Sequence, residues 1–412
     1  MKQATFAAPT APGPLFMRLN SAASSSAAAP GLRQYAIRRV GAALCRLAIL
    51  LTISVSAGCV GSPVTAGATD PTAGADASGT PPGDESRAPA EPTATVVPSQ
   101  VWGYVPDFDR PAAWSAAQAS ITALSGLSLF QYHLDGRGDL VEYSDLGGIP
   151  RWVEEQRLSV VPMITNHVGN RWDRETVAAV LTDGSRRRYH VDQIVRLAVD
   201  GDYPGVELDY ENLQASDREP FSQFLQELAA GLHNRGKQVS VAVHAKLTEP
   251  GDWEGPRAQD WSRIGELADR VVVMTYDYDP SRPGPIAPLD WTRGVLRFAK
   301  SRMSAAKIIQ GVPLYGYDWA ENRTATDRTH REIMATAQRH GATPRRDEAS
   351  RHLTFDYVEG GVRHQVWLAD GDTVAALLAI GREEGIAGFA LWRLGGEDPA
   401  VWGAVRGVMA RS

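Results

Sequence analysis

From residue 101 onward, short apolar runs alternate with amphipathic stretches, over 101–105, 127–132, 160–165, 205–210, 239–243, 271–276, 308–313 and 388–392. Several of these runs are apolar on both parities, which suits strands buried on both faces beneath covering helices. The clearest intervening helix covers about 217–235. Ser216-x-x-Glu219 forms a capping box at its start and Gly236 closes it, while Leu225, Leu228, Ala229 and Leu232 supply the apolar stripe. Eight strands separated by helices over about 300 residues predict an α/β fold, a (β/α)8 TIM barrel. A doubly wound open sheet is the alternative, but no glycine-rich phosphate loop follows the first run. About 75 residues separate the seventh and eighth runs. Within them, a helix over 331–340 and a hairpin of 353–357 with 364–368 predict a small α+β insertion, bounded at 324–368.

The first hundred residues read as an address rather than a fold. Arg33, Arg38, Arg39 and Arg46 precede an apolar run over 47–55, too short to span a bilayer comfortably and suited to an export signal. Ser56-Ala57-Gly58-Cys59 resembles a bacterial lipoprotein cleavage site, although a Leu is usual where Ser56 stands. The expectation is an export signal over 1–59 with lipidation at Cys59, or a plain secretory signal cut after a small residue. Residues 60–98 are rich in Pro, Thr, Ala, Gly, Ser and Asp without periodicity, the composition of a flexible tether. Residues 99–412 are left for the barrel, at the cell surface or outside it.

Cys45 and Cys59 are the only cysteines, which leaves residues 99–412 without a disulfide, a thiol nucleophile or a cysteine metal site. The histidines show no HExxH spacing; His133, His167 and His244 are pocket candidates for which a structural role is the commoner outcome. A net charge of -6 gives no basic field for nucleic acid. No cofactor is expected, and a monomer is the default.

The segment Gly205-Val206-Glu207-Leu208-Asp209-Tyr210-Glu211 concentrates the chemistry. Side chains two apart on a strand share a face, so Glu207, Asp209 and Glu211 line one side and Val206, Leu208 and Tyr210 the other. The wet face of an edge strand would also read this way. In a barrel, however, the acids point inward, and Glu211 lies at the C-terminal end where barrel active sites are built. Crowded carboxylates hold a proton near neutral pH, which suits a general acid. Other strand ends add Tyr276, Asp277, Tyr315, Tyr317, Trp319 and Trp392, aromatic and polar groups of the kind that stack on sugar rings and bond their hydroxyls.

Together these segments resemble glycoside hydrolase family 18, the chitinase-like barrels. Residues 204–211 are similar to its Asp-Gly-x-Asp-x-Asp-x-Glu pattern on strand four, Met274-Thr275-Tyr276-Asp277 to its strand-six motif and Gly388-Phe389-Ala390-Leu391-Trp392 to its strand-eight motif. The likeness is nearer to the bacterial spore-cortex and peptidoglycan N-acetylglucosaminidase branch than to ordinary chitinases. Pro204 stands where the pattern has its first Asp, and Glu207 where chitinases have Asp and the cortex-lytic branch often has Asn. The resemblance implies cleavage of β-linked N-acetylglucosamine glycans, peptidoglycan or chitin-like, by substrate-assisted retaining catalysis. It makes Glu211 the acid, Asp209 the partner of the acetamide N–H and Tyr276 the donor to the acetamide oxygen. Trp392 would floor the subsite and Asp277 would meet a sugar hydroxyl, with Glu207, Tyr315 and Tyr104 also on the substrate side. A non-catalytic glycan-binding barrel and an endo-N-acetylglucosaminidase acting on glycoproteins remain alternatives.

Overall fold

The computed structural model describes residues 98–410 apart from 144–151, 154 and 170. The expected export signal, Cys59 and all but the last residue of the tether lie outside the described residues. Eight parallel strands close into a barrel: β1 Gln100–Val105, β2 Gly126–Leu134, β3 Ser159–Thr165, β4 Gly205–Asp209, β5 Gln238–His244, β6 Arg270–Met274, β7 Ile308–Pro313 and β8 Gly388–Trp392. Neighbours pair in chain order, and β1 pairs in parallel with both β2 and β8, which leaves no free edge in the barrel.

The two parities of each strand serve two different cores. Val101, Leu127, Leu129, Val206, Leu208, Val241, Val273 and Leu391 pack outward with helix residues such as Leu225, Leu228, Leu232 and Leu377. Trp102, Tyr104, Phe130, Met163, Ala242, Val272 and Ala390 fill the interior. This double burial produces the near-continuous apolar runs of the sequence.

Aspartates fix several helix starts: Asp173, Asp183, Asp260 and Asp370 each accept a backbone N–H in the first turn that follows. Gly385, at φ +64°, ends the helix Gly371–Glu384 in the left-handed region that glycine enters without a Cβ clash.

Two details differ from the sequence reading. The helix after β4 is Arg218–His233, and the capping box in front of it joins Gln214 and Asp217, not Ser216 and Glu219. Asp217 is drawn into that role because Arg174 grips both its oxygens, at 2.9 Å each. The insertion also begins earlier than residue 324. Its five-stranded antiparallel sheet runs in the order Thr326–Thr329, Tyr315–Ala320, Val362–Leu368, Leu353–Glu359, Arg345–Arg346, with the helix His330–Arg339. Ile333, Phe355, Val366 and Leu368 give it a core of its own. The strand Tyr315–Ala320 leaves β7 after Leu314, and Gly316 lets the strand Val362–Leu368 approach, since a Cβ there would lie 2.6 Å from the Trp367 carbonyl oxygen. A short strand, Leu140–Glu142, also adds antiparallel to β2.

Candidate active site

The inward parity of β4 stacks the acids as the sequence predicts. Glu207 lies deepest, 3% exposed, and accepts hydrogen bonds from Tyr104 Oη at 2.5 Å and Ser240 Oγ at 3.1 Å. Asp209 sits one residue pair higher and is 5% exposed; its Oδ1 is buried with no hydrogen-bond partner among the described residues. Glu211 follows at the rim and is partly exposed.

Burial raises the proton affinity of all three. Glu207 is pushed up by burial, against the pull of Tyr104, the Arg270 charge and Ser240. Asp209 is pushed up to about 7 by burial first and the Glu207 charge second. Glu211 is held well above the usual carboxylate range by burial, then by the charges of Asp209 and Asp277. A site of this kind keeps protons at neutral pH where an isolated carboxylate would have lost them.

Backbone geometry aims Glu211. Asn166, just past β3, accepts from the Glu211 N–H at 2.8 Å and donates to the Glu211 carbonyl at 2.9 Å, so one amide clamps the main chain of residue 211 from both sides.

 The next residue, Asn212, takes φ +58° as the chain turns out of the strand. Opposite, Asp277 has φ +54° and accepts hydrogen bonds from Tyr315 and from Tyr317 Oη, the latter at 2.6 Å. Those hydroxyls lower its proton affinity, but burial outweighs them and pushes Asp277 up to about 6.

The aromatic residues form the walls. A cleft is lined by Phe108, Phe130, His167, Trp172, Tyr315, Asp327, Trp392 and Arg393. Trp392 meets Tyr104 edge-on at 5.5 Å, and Tyr276 meets Tyr315 edge-on at 6.4 Å. Of the three candidate histidines, His167 lines this cleft beside Trp172, with ring centroids 5.0 Å apart. His133 packs on Tyr143 at 4.7 Å, and His244 lies against Trp253 at 4.6 Å. Burial lowers the proton affinity of all three, to about 4 for His244. Among the described residues, no group of three or more His, Cys, Asp or Glu is disposed to hold a metal ion.

Glu211, Asp209, Tyr276, Asp277, Tyr315, Trp392, Tyr104 and Glu207 thus gather at or beneath the C-terminal mouth of the barrel. Tyr104 and Glu207 bond each other below the rim, and the free faces of Tyr315 and Asp277 are partly taken by their mutual bond. Asn166 and Ser240 were not singled out as site residues from sequence. A polar residue directly after an apolar strand was the one available signal for Asn166.

The profile of Glycosyl hydrolases family 18 matches residues 158–397, which contain the acids of β4 and the ends of β6 and β8. The chain belongs to this family. The uncharacterized glycosylase YvbX of Bacillus subtilis is 31% identical over 242 residues, covering 57% of this chain and 70% of the relative. The cortical fragment-lytic enzyme of the same organism is 29% identical over 297 residues, covering 70% and 68%. The crystal structure of a chitinase from Chromobacterium violaceum superimposes with a TM-score of 0.70 at 29% identity, over 76% of this chain and all of that one. As a family 18 member built on this barrel, the chain is a glycoside hydrolase.

Proposed function

We propose that the barrel cleaves β-linked N-acetylglucosamine glycans of the peptidoglycan or chitin type, with the substrate's own acetamide as nucleophile. The observation that carries this reading is Asp209 Oδ1, a buried carboxylate oxygen with no donor among the described residues. A buried acceptor left unpaired is costly, and a small turn of the carboxylate toward Glu211 would offer it to an acetamide N–H. The names of the cortical fragment-lytic and chitinase relatives support the substrate class.

In the first step, Glu211 gives its proton to the glycosidic oxygen as the bond from that oxygen to the anomeric carbon breaks. The acetamide carbonyl oxygen bonds to the same carbon from the opposite face, forming an oxazolinium ion. Asp209 holds the N–H and faces the positive charge, Tyr276 donates to the acetamide oxygen, and Trp392 supports the ring. Water then adds to the anomeric carbon from the face the leaving group vacated and gives a proton to the Glu211 carboxylate. The ring opens back to acetamide with net retention, the substrate-assisted exception to two-carboxylate glycosidases. The export signal and a lipidated Cys59 would hold the barrel at the cell surface, where such polymers lie; labelled palmitate failing to enter Cys59 would contradict the anchor.

Incubating the chain with peptidoglycan, chitooligosaccharides and an N-glycoprotein, and weighing the new reducing ends, tests the substrate. Products from the first or second support the reading, and products from the glycoprotein alone refute it.

The acid also makes a pH prediction. The Asp277 charge raises the proton affinity of Glu211, so Asp277→Asn lowers it and Glu211 loses its proton at lower pH. The alkaline limb of kcat/KM should therefore move down the pH scale. A limb that stays in place or moves up would show that Glu211 does not set it.

A further inference from the structure

We propose that Arg270, on the floor of the barrel, is a positioning residue whose charge is set against the Glu207 carboxylate beneath Asp209. This rests on the hydrolytic reading above. Glu207 pairs in register with Ser240 on β5, and Ser240 pairs with Arg270 on β6. All three belong to the inward parity of their strands, together with Ala242 and Val272. They therefore form one layer across three neighbouring strands, two residues below Asp209.

The guanidinium is held in that layer from two sides. Its Cζ lies 4.3 Å from the centre of the Trp102 ring, and its Nη1 donates to Gln238 at 3.1 Å. Trp102 spreads across the floor over Gly126, where a Cβ would come within 2.5 Å of the indole, and its Nε1 donates to Gln100 at 3.1 Å. A cation stacked on an indole keeps its charge while shedding much of its water.

The groups acting on Glu207 are Tyr104 from β1, Ser128 from β2, Ser240 from β5, Asp209 from its own strand, Tyr276 just past β6 and Arg270 from β6. Arg270 is the cation among the influences that favour ionised Glu207, and Asp269 and Tyr104 are the other groups acting on Arg270 itself. Burial and other carboxylates are the influences on Asp209 and Glu211. The longer Glu207 brings its carboxylate within reach of both Tyr104 and Ser240, and Arg270 balances its charge from β6. The Arg270 charge favours the ionised form of Glu207 against the pull of burial, and so leaves the protons of the ladder to the two upper acids, where the reaction uses them.

The test compares Arg270→Gln and Arg270→Lys in the full chain, with chitotetraose as substrate and a 13C-carboxylate NMR titration of Glu207. Loss of the charge should raise the Glu207 midpoint by about one unit and move the acid limb of kcat up with it, since the proton then stays in the ladder to higher pH. At the original optimum, kcat of Arg270→Gln should fall about tenfold with KM within about twofold, while Arg270→Lys keeps most of kcat. If Arg270→Gln melts below the assay temperature, Gln238→Met, which frees Nη1 and leaves the charge, should shift Glu207 the same way by less. An unmoved Glu207 in either variant overturns the proposal, as does a lysine variant as impaired as the glutamine variant when both melt like wild type. Wild-type protein that leaves every glycan uncut would strike only the hydrolytic reading, because the Glu207 titration still decides the role of Arg270.

Discussion

Glu211→Gln is expected to fold like the wild type and to lose hydrolysis by at least ~10²-fold, the usual scale for a missing general acid. Glutamine matches the side chain in shape but has no acidic proton to give to the leaving oxygen. The Asn166 clamp holds the main chain of residue 211, so the substitution leaves its bonds in place. Stability adds a second signature. Glu211 binds its proton more tightly in the folded protein than an exposed carboxylate does. Its contribution is therefore fully present below the ordinary carboxylate range and is lost as pH rises through the raised folded value. The glutamine variant lacks that loss, so its melting temperature should fall less than the wild type's between mildly acidic and alkaline pH. Unimpaired turnover by Glu211→Gln in a reducing-end assay would remove Glu211 from the mechanism.

Asp209→Asn should lower kcat by roughly 10²–10³-fold, the range for removing one preorganised electrostatic partner of a transition state. Asparagine keeps the volume but replaces one carboxylate oxygen with a donor, and it takes away the charge that would face the oxazolinium ion. It also takes away a charge that raises the proton affinity of Glu211. Binding should suffer much less, because Trp392 and the other cleft walls are untouched. Calorimetric titration with chitotetraose checks this: affinity within about tenfold of wild type fits transition-state stabilisation. Equal losses in affinity and turnover would give Asp209 a ground-state role instead.

What could be read from sequence follows from where the information lies. The eight barrel strands were legible because burial on both faces writes a local apolar signature, and the acids of β4 stood out because an alternating acidic face contradicts it. The Asn166 clamp was not legible, since Asn166 and Glu211 meet only when β3 and β4 pair. The same holds for Arg270, an arginine at a strand start whose meaning depends on Trp102 across the barrel. The helix cap was misread for a related reason, because the Asp217 carboxylate is claimed by Arg174, 43 residues earlier. Tyr315 and Tyr317 do face the site, but on a strand of the insertion sheet rather than on an extension of β7, a distinction that their alternation alone does not reveal.

The central claim is that the acetamide attacks the anomeric carbon while Glu211 protonates the departing oxygen. Proton NMR of chitotetraose cleavage, recorded before mutarotation, tests it most directly. The β anomer should appear first at each new reducing end. Initial release of the α anomer would mean direct attack by water, and would contradict the mechanism.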